Sequence, residues 1–404
     1  VDHLTAQQSA LRARNALWAT FCIMGIVSMA WVPRIPEIKD ALHLSNGQFG
    51  LLLMGSTFGS LSGAQLAGRL IHTYGSKTVS SVAVVIMPLG LVGIGYSKTA
   101  IALFAALFIM GFGYSSLDIS VNTQAVAVEK LLGRRWMSSF HALWSTGAFV
   151  TTVFGGSIAR FTTPQFNLVL IGLVSLLLYI PAVRALLNSE LDDHDGGLEK
   201  TQVKIPLMGR SVIPLWGIGI GLFGALIAEG ATSDWSAILL RDHMRIAKGV
   251  NASAFACFAL AMIVSRFLGD RILERFGPAK TVRWGGFIGG AGLGLSIAIA
   301  VPLSAHAQLA SLIVINTGFI IAGLGMGPIF PAYILAASAV PGIAPSVAIA
   351  RVGVIGLTAF FIGPSLTGGL AQVTSLPIAM AFPTMMFIFS GYQARIIKAQ
   401  SSKG

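Results

Sequence analysis

The chain has 404 residues, of which 54% are hydrophobic and only 10% charged, with a mean hydropathy of +0.78. A soluble domain carries about 25% charged residues and could not hide so much apolar surface from water, so the natural solvent is lipid. The 27 Lys and Arg against 15 Asp and Glu, a net charge of +12, would suggest nucleic acid in a soluble protein; here the cations sit in short gaps between apolar runs and no nucleic-acid-binding motif accompanies them, which points to membrane orientation instead.

A hydrocarbon core takes about 20 apolar residues per helix, and by that rule the chain reads as about twelve spans. The first six lie near 13–32, 47–71, 78–97, 100–127, 137–159 and 166–187. Residues 9–14 lead straight into the first of them without a small-residue cleavage site, so the N-terminal stretch reads as a span and not as a removable signal. The long polar stretch NSELDDHDGGLEKTQVK follows at 188–204, with charges of both signs and a Gly pair, and reads as a solvated connector. The last six spans lie near 211–238, 251–272, 281–302, 307–336, 345–371 and 375–394. The expectation is an all-α membrane protein with twelve transmembrane helices in two pseudo-symmetric six-helix bundles, 1–187 and 211–404, joined by a cytoplasmic linker at 188–210. Cys22 and Cys257 fall inside spans, one in each half, and read as small packing residues.

Basic residues set the orientation. With both termini inside, Arg12, Arg14, Lys77, Arg134, Arg135 and their second-half counterparts gather on the cytoplasmic side, against a smaller outer set that includes Arg34, Lys39, Lys98 and Arg160. The halves also echo each other. GRLIHTYGSK follows the second span at 68–77, and GDRILERFGPAK follows the eighth at 269–280. Aligning Gly75 with Gly277 pairs HTYG with ERFG and sets Asp270 opposite Gly68. Two duplicated six-helix halves are a recurring pattern in secondary transporters.

These residues resemble the major facilitator superfamily. Its motif after the second helix is a Gly, an acid four residues on, a basic residue, then Gly and further basic residues. Gly68, Gly75 and Lys77 match, whereas His72 stands at the acid position and Thr73 at a basic one; the second-half copy keeps Glu274, Arg275, Gly277 and Lys280. FHALWSTGAFVTTVFGG at 140–156 is similar to the Gly-rich fifth helix of that family, and SLDISVNTQAVAVE at 116–129 and AEGATSDWSAILLRD at 228–242 resemble a bacterial branch related to the fucose permeases. The resemblance implies two six-helix bundles, a central cavity lined mainly by helices 1, 4, 7 and 10, and rocker-switch movement in an inner membrane. It also implies gating roles for the signature loops, here Gly68, Gly75, Asp270, Glu274 and Arg275.

An ionisable side chain inside a span costs roughly 2.5–3.5 kcal/mol on insertion scales, so each one present is a candidate. Asp118 in the fourth span shares a helical stripe with Ser115 and Asn122, which reads either as solute hydrogen bonding with a protonatable carboxyl or as a structural network. Glu229, with Gly230, Thr232, Ser233 and Ser236 around it, is a second proton-site candidate on a seventh helix expected to be bent or broken. Asp234 lies further out, either as an ordinary helix-end charge or as an outer-gate partner of Arg34. His141 is a possible proton shuttle three residues from Trp144, and with Asp118 and Arg351 it is expected to form one cytoplasmic-side network. Gln124, Asn316 and Gln65 are polar candidates for the cavity or for helix–helix bonds, and Pro328 and Pro331 mark a hinge or a fixed kink.

No phosphate-binding loop, no metal-spaced His/Cys cluster and no Ser/His/Asp arrangement is present in the sequence, so neither ATP-driven pumping, nor a cofactor, nor an enzyme is expected. The leading expectation is proton-coupled symport of a small polar, sugar-like solute, with the solute, protons and the lipid bilayer as partners. The alternatives are proton-driven efflux of amphipathic compounds, which 24 Phe and 13 Met could line, and a non-transporting sensor or scaffold.

Overall fold

In hydrocarbon, a backbone must satisfy its polar groups internally, and helices do this within one segment. A computed structural model of the chain has no strand among the described residues, which are 3–44, 46–158, 161–192, 212–247 and 250–401. Most of the 188–210 linker therefore lies outside the described residues, as does Arg160.

The chain forms two compact units: Val1–Ile205 with Pro341–Val354, and Pro206–Val340 with Ile355–Gly404. Unit 1 contains α1 (His3–Met29), a 3-10 turn Val32–Arg34 leading into the short α2 (Ile35–Ala41), α3 (Asn46–Tyr74), α4 (Ser76–Tyr96), α5 (Ala100–Leu132), α6 (Met137–Ile158) and α7 (Pro164–Arg184). Local sequence sets the ends. Thr99 and Thr163 cap α5 and α7 by accepting hydrogen bonds from the N–H groups of Ala102 and Phe166, and Pro164 occupies a first-turn position where no N–H is needed. Gly133, with φ 62°, ends α5 in the left-handed conformation. Within the unit, α3 and α4 both pack on α5, and α1 packs on α6, α5 and α7.

Unit 2 contains α8 (Ile213–Ile238), α9 (Ser253–Leu303), α10 (Gln308–Met326), α11 (Ile329–Ser338), α13 (Ala359–Val373), the single turn α14 (Leu376–Ala379) and α15 (Ala381–Ser401). The division between units falls inside α12 (Pro345–Leu357). Helix α9 has two arms, interrupted by non-helical backbone at Gly277. The arms correspond to the spans expected at 251–272 and 281–302. Gly327 and Pro328 separate α10 from α11, at the place where Pro328 and Pro331 marked an interruption. Thr358 separates α12 from α13, a break the sequence reading did not expect.

Six stretches among the described residues are long and apolar enough on their own to cross a membrane: α4, α5, α7, α8, α9, and α10 taken through α11. Helices α1, α3, α6 and α15 reach 21 to 29 residues as well. The break expected in the seventh span is absent: α8 runs as unbroken helix through Ile238, and a π-type turn, Leu239–His243, follows it. The Thr232 hydroxyl donates to the Ala228 carbonyl one turn back, so it is satisfied without opening the helix.

Candidate functional site

In unit 1 the polar stripe on α5 becomes a hydrogen-bonded chain. The Asn122 amide donates to Oδ1 of Asp118 at 3.1 Å and to the Asp118 carbonyl at 2.8 Å. Its Oδ1 accepts from Nε2 of His141 at 3.1 Å. Asn122 is fully buried and His141 nearly so, and the imidazole edge meets the Phe21 ring with centroids 5.0 Å apart. A close crossing of α1 and α6 brings these groups together. A Cβ on Gly25 would lie 2.1 Å from the Trp144 carbonyl oxygen, and one on Gly147 would lie 2.2 Å from that of Cys22. Only glycine lets the two backbones approach this far. Asp118 and His141 are thus joined through Asn122, with Ser115 buried one turn away on α5. The Trp144 indole N–H is buried with no hydrogen-bond partner among the described residues. Arg351, expected in the same network, is half-buried on α12 in the part that belongs to unit 1.

Of the two readings of Gln124, cavity residue or helix–helix tie, its bonds are those of a tie. Its amide nitrogen donates to the Ser76 hydroxyl at 2.7 Å and to the Leu187 carbonyl at 2.9 Å, and its oxygen accepts from the Leu187 N–H at 2.9 Å. With both ends of the amide engaged, Gln124 ties α5 to the start of α4 and the end of α7. Asp192 completes this tie by accepting from the backbone N–H and hydroxyl of Ser76 at 2.8 and 2.6 Å, a carboxylate at the N-terminus of α4. The sequence reading missed Asp192 because the group it caps is distant in sequence. It also missed Glu129, whose carboxylate accepts from the N–H groups of Trp136 and Met137 at 2.6 and 2.8 Å and pairs with Arg135 at 3.1 Å. An acid just before a Gly-Arg-Arg turn into the next helix was the available signal.

The expected gate groups fall as follows. Arg34 is fully buried; it pairs with Glu37 at 2.8 Å and donates to the Thr162 carbonyl and hydroxyl at 2.8 and 2.6 Å, fastening the chain after α1 to the start of α7. Asp234, expected as its partner, is exposed on α8. Gly68 lies against α12, where an added Cβ would come within 2.8 Å of the Ala350 Cβ. Gly75 forms the α3–α4 turn at φ 84°. In the second copy Asp270 is buried, while Glu274 and Arg275 are exposed, with the Arg275 guanidinium over the Phe276 ring.

Unit 2 carries a second intramembrane charge cluster. The Glu229 carboxylate on α8 faces the Arg266 guanidinium on α9 at 3.9 Å, and both groups are largely withdrawn from solvent. Nε of Arg266 donates to the Gly327 carbonyl at 3.3 Å, at the joint between α10 and α11. Three elements of the unit therefore meet on one guanidinium. The signal in the sequence was a cation inside a span, which demands an anion in another span. Asn316, a solute candidate, accepts from the Ser253 hydroxyl at 3.1 Å, a bond between α10 and α9.

The sequence profile described as Major Facilitator Superfamily matches residues 16–350. A protein of Yersinia pestis described as an uncharacterized MFS-type transporter is 29% identical over 401 residues, covering 98% of each chain. The uncharacterized transporter y4wD of Sinorhizobium fredii is 30% identical over 360 residues, covering 89% of this chain and 91% of that protein. Among solved structures, FucP in an outward conformation superposes with a TM-score of 0.75 at 17% identity, over 96% of this chain and 99% of that one. A second structure, described as the E. coli fucose:proton symporter FucP, gives a TM-score of 0.72 at 15% identity with the same coverage.

Proposed function

The chain belongs to the major facilitator superfamily and is a multi-pass membrane transporter, not an enzyme, and on that premise we propose that it is a proton-coupled symporter of a small polar, sugar-like solute. The observation that carries this reading is the chain Asp118–Asn122–His141 inside unit 1. A carboxyl in a span, bonded to an amide that is bonded in turn to an imidazole, joins two groups able to hold a proton through a neutral bridge. The likeness in fold to a fucose:proton symporter supports the same reading.

In the proposed cycle Asp118 takes a proton from the outer side. Neutralising it removes the desolvation cost of closing a dry cavity around solute and carboxyl together. The Trp144 indole N–H, without a partner among the described residues, supplies a hydrogen-bond donor for a hydroxylated solute within a turn of His141. After the halves move, the proton leaves inward by way of His141. Glu229, paired with Arg266, serves as the second proton-sensitive group. The bilayer is proposed to be a bacterial inner membrane with both termini cytoplasmic, supported by the basic residues before the first span and between the fourth and fifth, of which Arg14 and Arg134 both lie over the Trp136 ring.

The test is a thermal-shift screen of purified protein against monosaccharides and other small polar solutes, followed by uptake of each hit into liposomes with and without an inward proton gradient. Symport requires a solute whose accumulation rises with the gradient. Solutes that bind but flow equally without it, or efflux of lipophilic cations alone, would overturn the reading.

A further inference from the structure

The second arm of α9 begins at Gly277, and the surface beside that opening holds two apolar grooves of about 660 and 530 Å³. The first lies between this arm and α15, walled by Pro278, Phe287, Gly391 and Tyr392. The second lies on the side toward α10, walled by Ile272, Ile288, Ile321 and Leu324. Phe276, Lys280 and Trp284 line both, so the exposed Trp284 indole borders each groove.

The charge at this place has one sign. Lys280 is common to both grooves, Arg283 and Arg395 line the first, and all three are exposed; no acidic side chain lines either groove among the described residues. The Arg395 guanidinium lies 3.8 Å from the centre of the Tyr392 ring and donates to the Tyr392 hydroxyl, which holds it at the groove edge. The arm also begins here with Pro278, so its first-turn N–H groups and positive dipole end face the same opening. By the distribution of basic residues this is the cytoplasmic end of the span, where anionic headgroups concentrate.

We propose that this surface binds an anionic diacyl phospholipid, with one acyl chain in each groove beside Trp284 and the headgroup phosphate on Lys280, Arg283 and Arg395. Two adjoining apolar grooves that converge on one cationic cluster suit a molecule with two hydrocarbon chains and one negative head. A free phosphate ester would use the cations and leave the grooves unfilled, and a zwitterionic lipid would fill the grooves and gain little from the cations.

Native mass spectrometry of the delipidated full chain, titrated with dioleoylphosphatidylglycerol or dioleoylphosphatidylcholine, tests this. The wild type should retain the anionic lipid about tenfold better. The preference should fall toward parity in Arg283→Gln/Arg395→Gln and partway in the single exposed change Lys280→Gln, which serves should the double variant not fold. Trp284→Ala should weaken both lipids, and Arg271→Gln, outside the grooves, should leave the preference intact. Equal retention of the two lipids by the wild type, an unchanged preference in both groove variants, or equal binding of the deacylated headgroup glycerophosphoglycerol would overturn the proposal.

Discussion

Gly75 and Gly277 share one backbone conformation, φ 84°, ψ 156° and φ 73°, ψ 163°, each where one long helix ends and the next begins. That region is open to glycine and nearly closed to every residue with a Cβ. The two positions that the sequence alignment paired are therefore a structural repeat at the level of single dihedral angles. Their surroundings differ: a Cβ on Gly75 would come within 2.7 Å of the Ser189 Cβ, whereas one on Gly277 would meet nothing within 4 Å.

The difference makes a prediction. Gly277→Ala carries only the dihedral strain, about 1–3 kcal/mol, and Gly75→Ala carries that strain plus the collision with Ser189. Thermal unfolding in detergent should show both variants destabilised, Gly75→Ala the more. An equal loss would mean that the contact with the segment after α7 contributes nothing.

Much of this fold was legible because lipid imposes a coarse rule on sequence. Apolar runs of span length became helices, and Gly75 and Gly277 announced the turns between them. What stayed hidden were contacts that join distant positions. For Gln124 the cavity and the helix–helix readings both stood, because a polar side chain in a span looks the same whether it faces solute or a neighbouring backbone; its partners at Ser76 and Leu187 are known only once α4, α5 and α7 are packed. The Asp118–Asn122 bond could be read from helical spacing, whereas its extension to His141 needed the α1–α6 crossing at Gly25 and Gly147. The continuity of α8 was missed because Ser and Thr suggested a break, when Thr232 bonds back to its own helix.

Gln124 and Asn122 should accordingly separate in a functional assay. Gln124→Ala leaves the Leu187 N–H without its acceptor and should cost about 1–3 kcal/mol of stability while leaving the solute concentration for half-maximal uptake unchanged. Asn122→Ala breaks the bridge between Asp118 and His141 and should lower proton-driven uptake more than it lowers the unfolding temperature. Uptake and melting curves on the two variants check both statements.

The Glu229–Arg266 pair should respond asymmetrically. A carboxyl that loses its cation can neutralise itself by taking a proton, and a guanidinium that loses its anion cannot. Glu229→Gln should therefore destabilise unit 2 more than Arg266→Gln, within the roughly 3–5 kcal/mol seen for breaking a buried pair. The double variant should recover part of the loss. Additive losses on thermal unfolding would show that the two side chains act independently.

Asp192→Ala should cost about 1–2 kcal/mol by uncapping α4, and Ser76→Ala should cost less because the backbone N–H of residue 76 remains to bond the carboxylate. The two changes share partners, so the double variant should fall short of the sum of the singles. Melting temperatures of the three proteins measure it.

The role of Asp118 is tested most directly by comparing two fluxes in liposomes containing Asp118→Asn. Exchange of labelled for unlabelled solute needs no net proton movement, and the amide imitates the neutral carboxyl; this exchange is expected to persist. Accumulation against a concentration gradient under an inward proton gradient is expected to fall to background. Undiminished proton-driven accumulation by Asp118→Asn would contradict the assignment of this carboxyl as the coupling group.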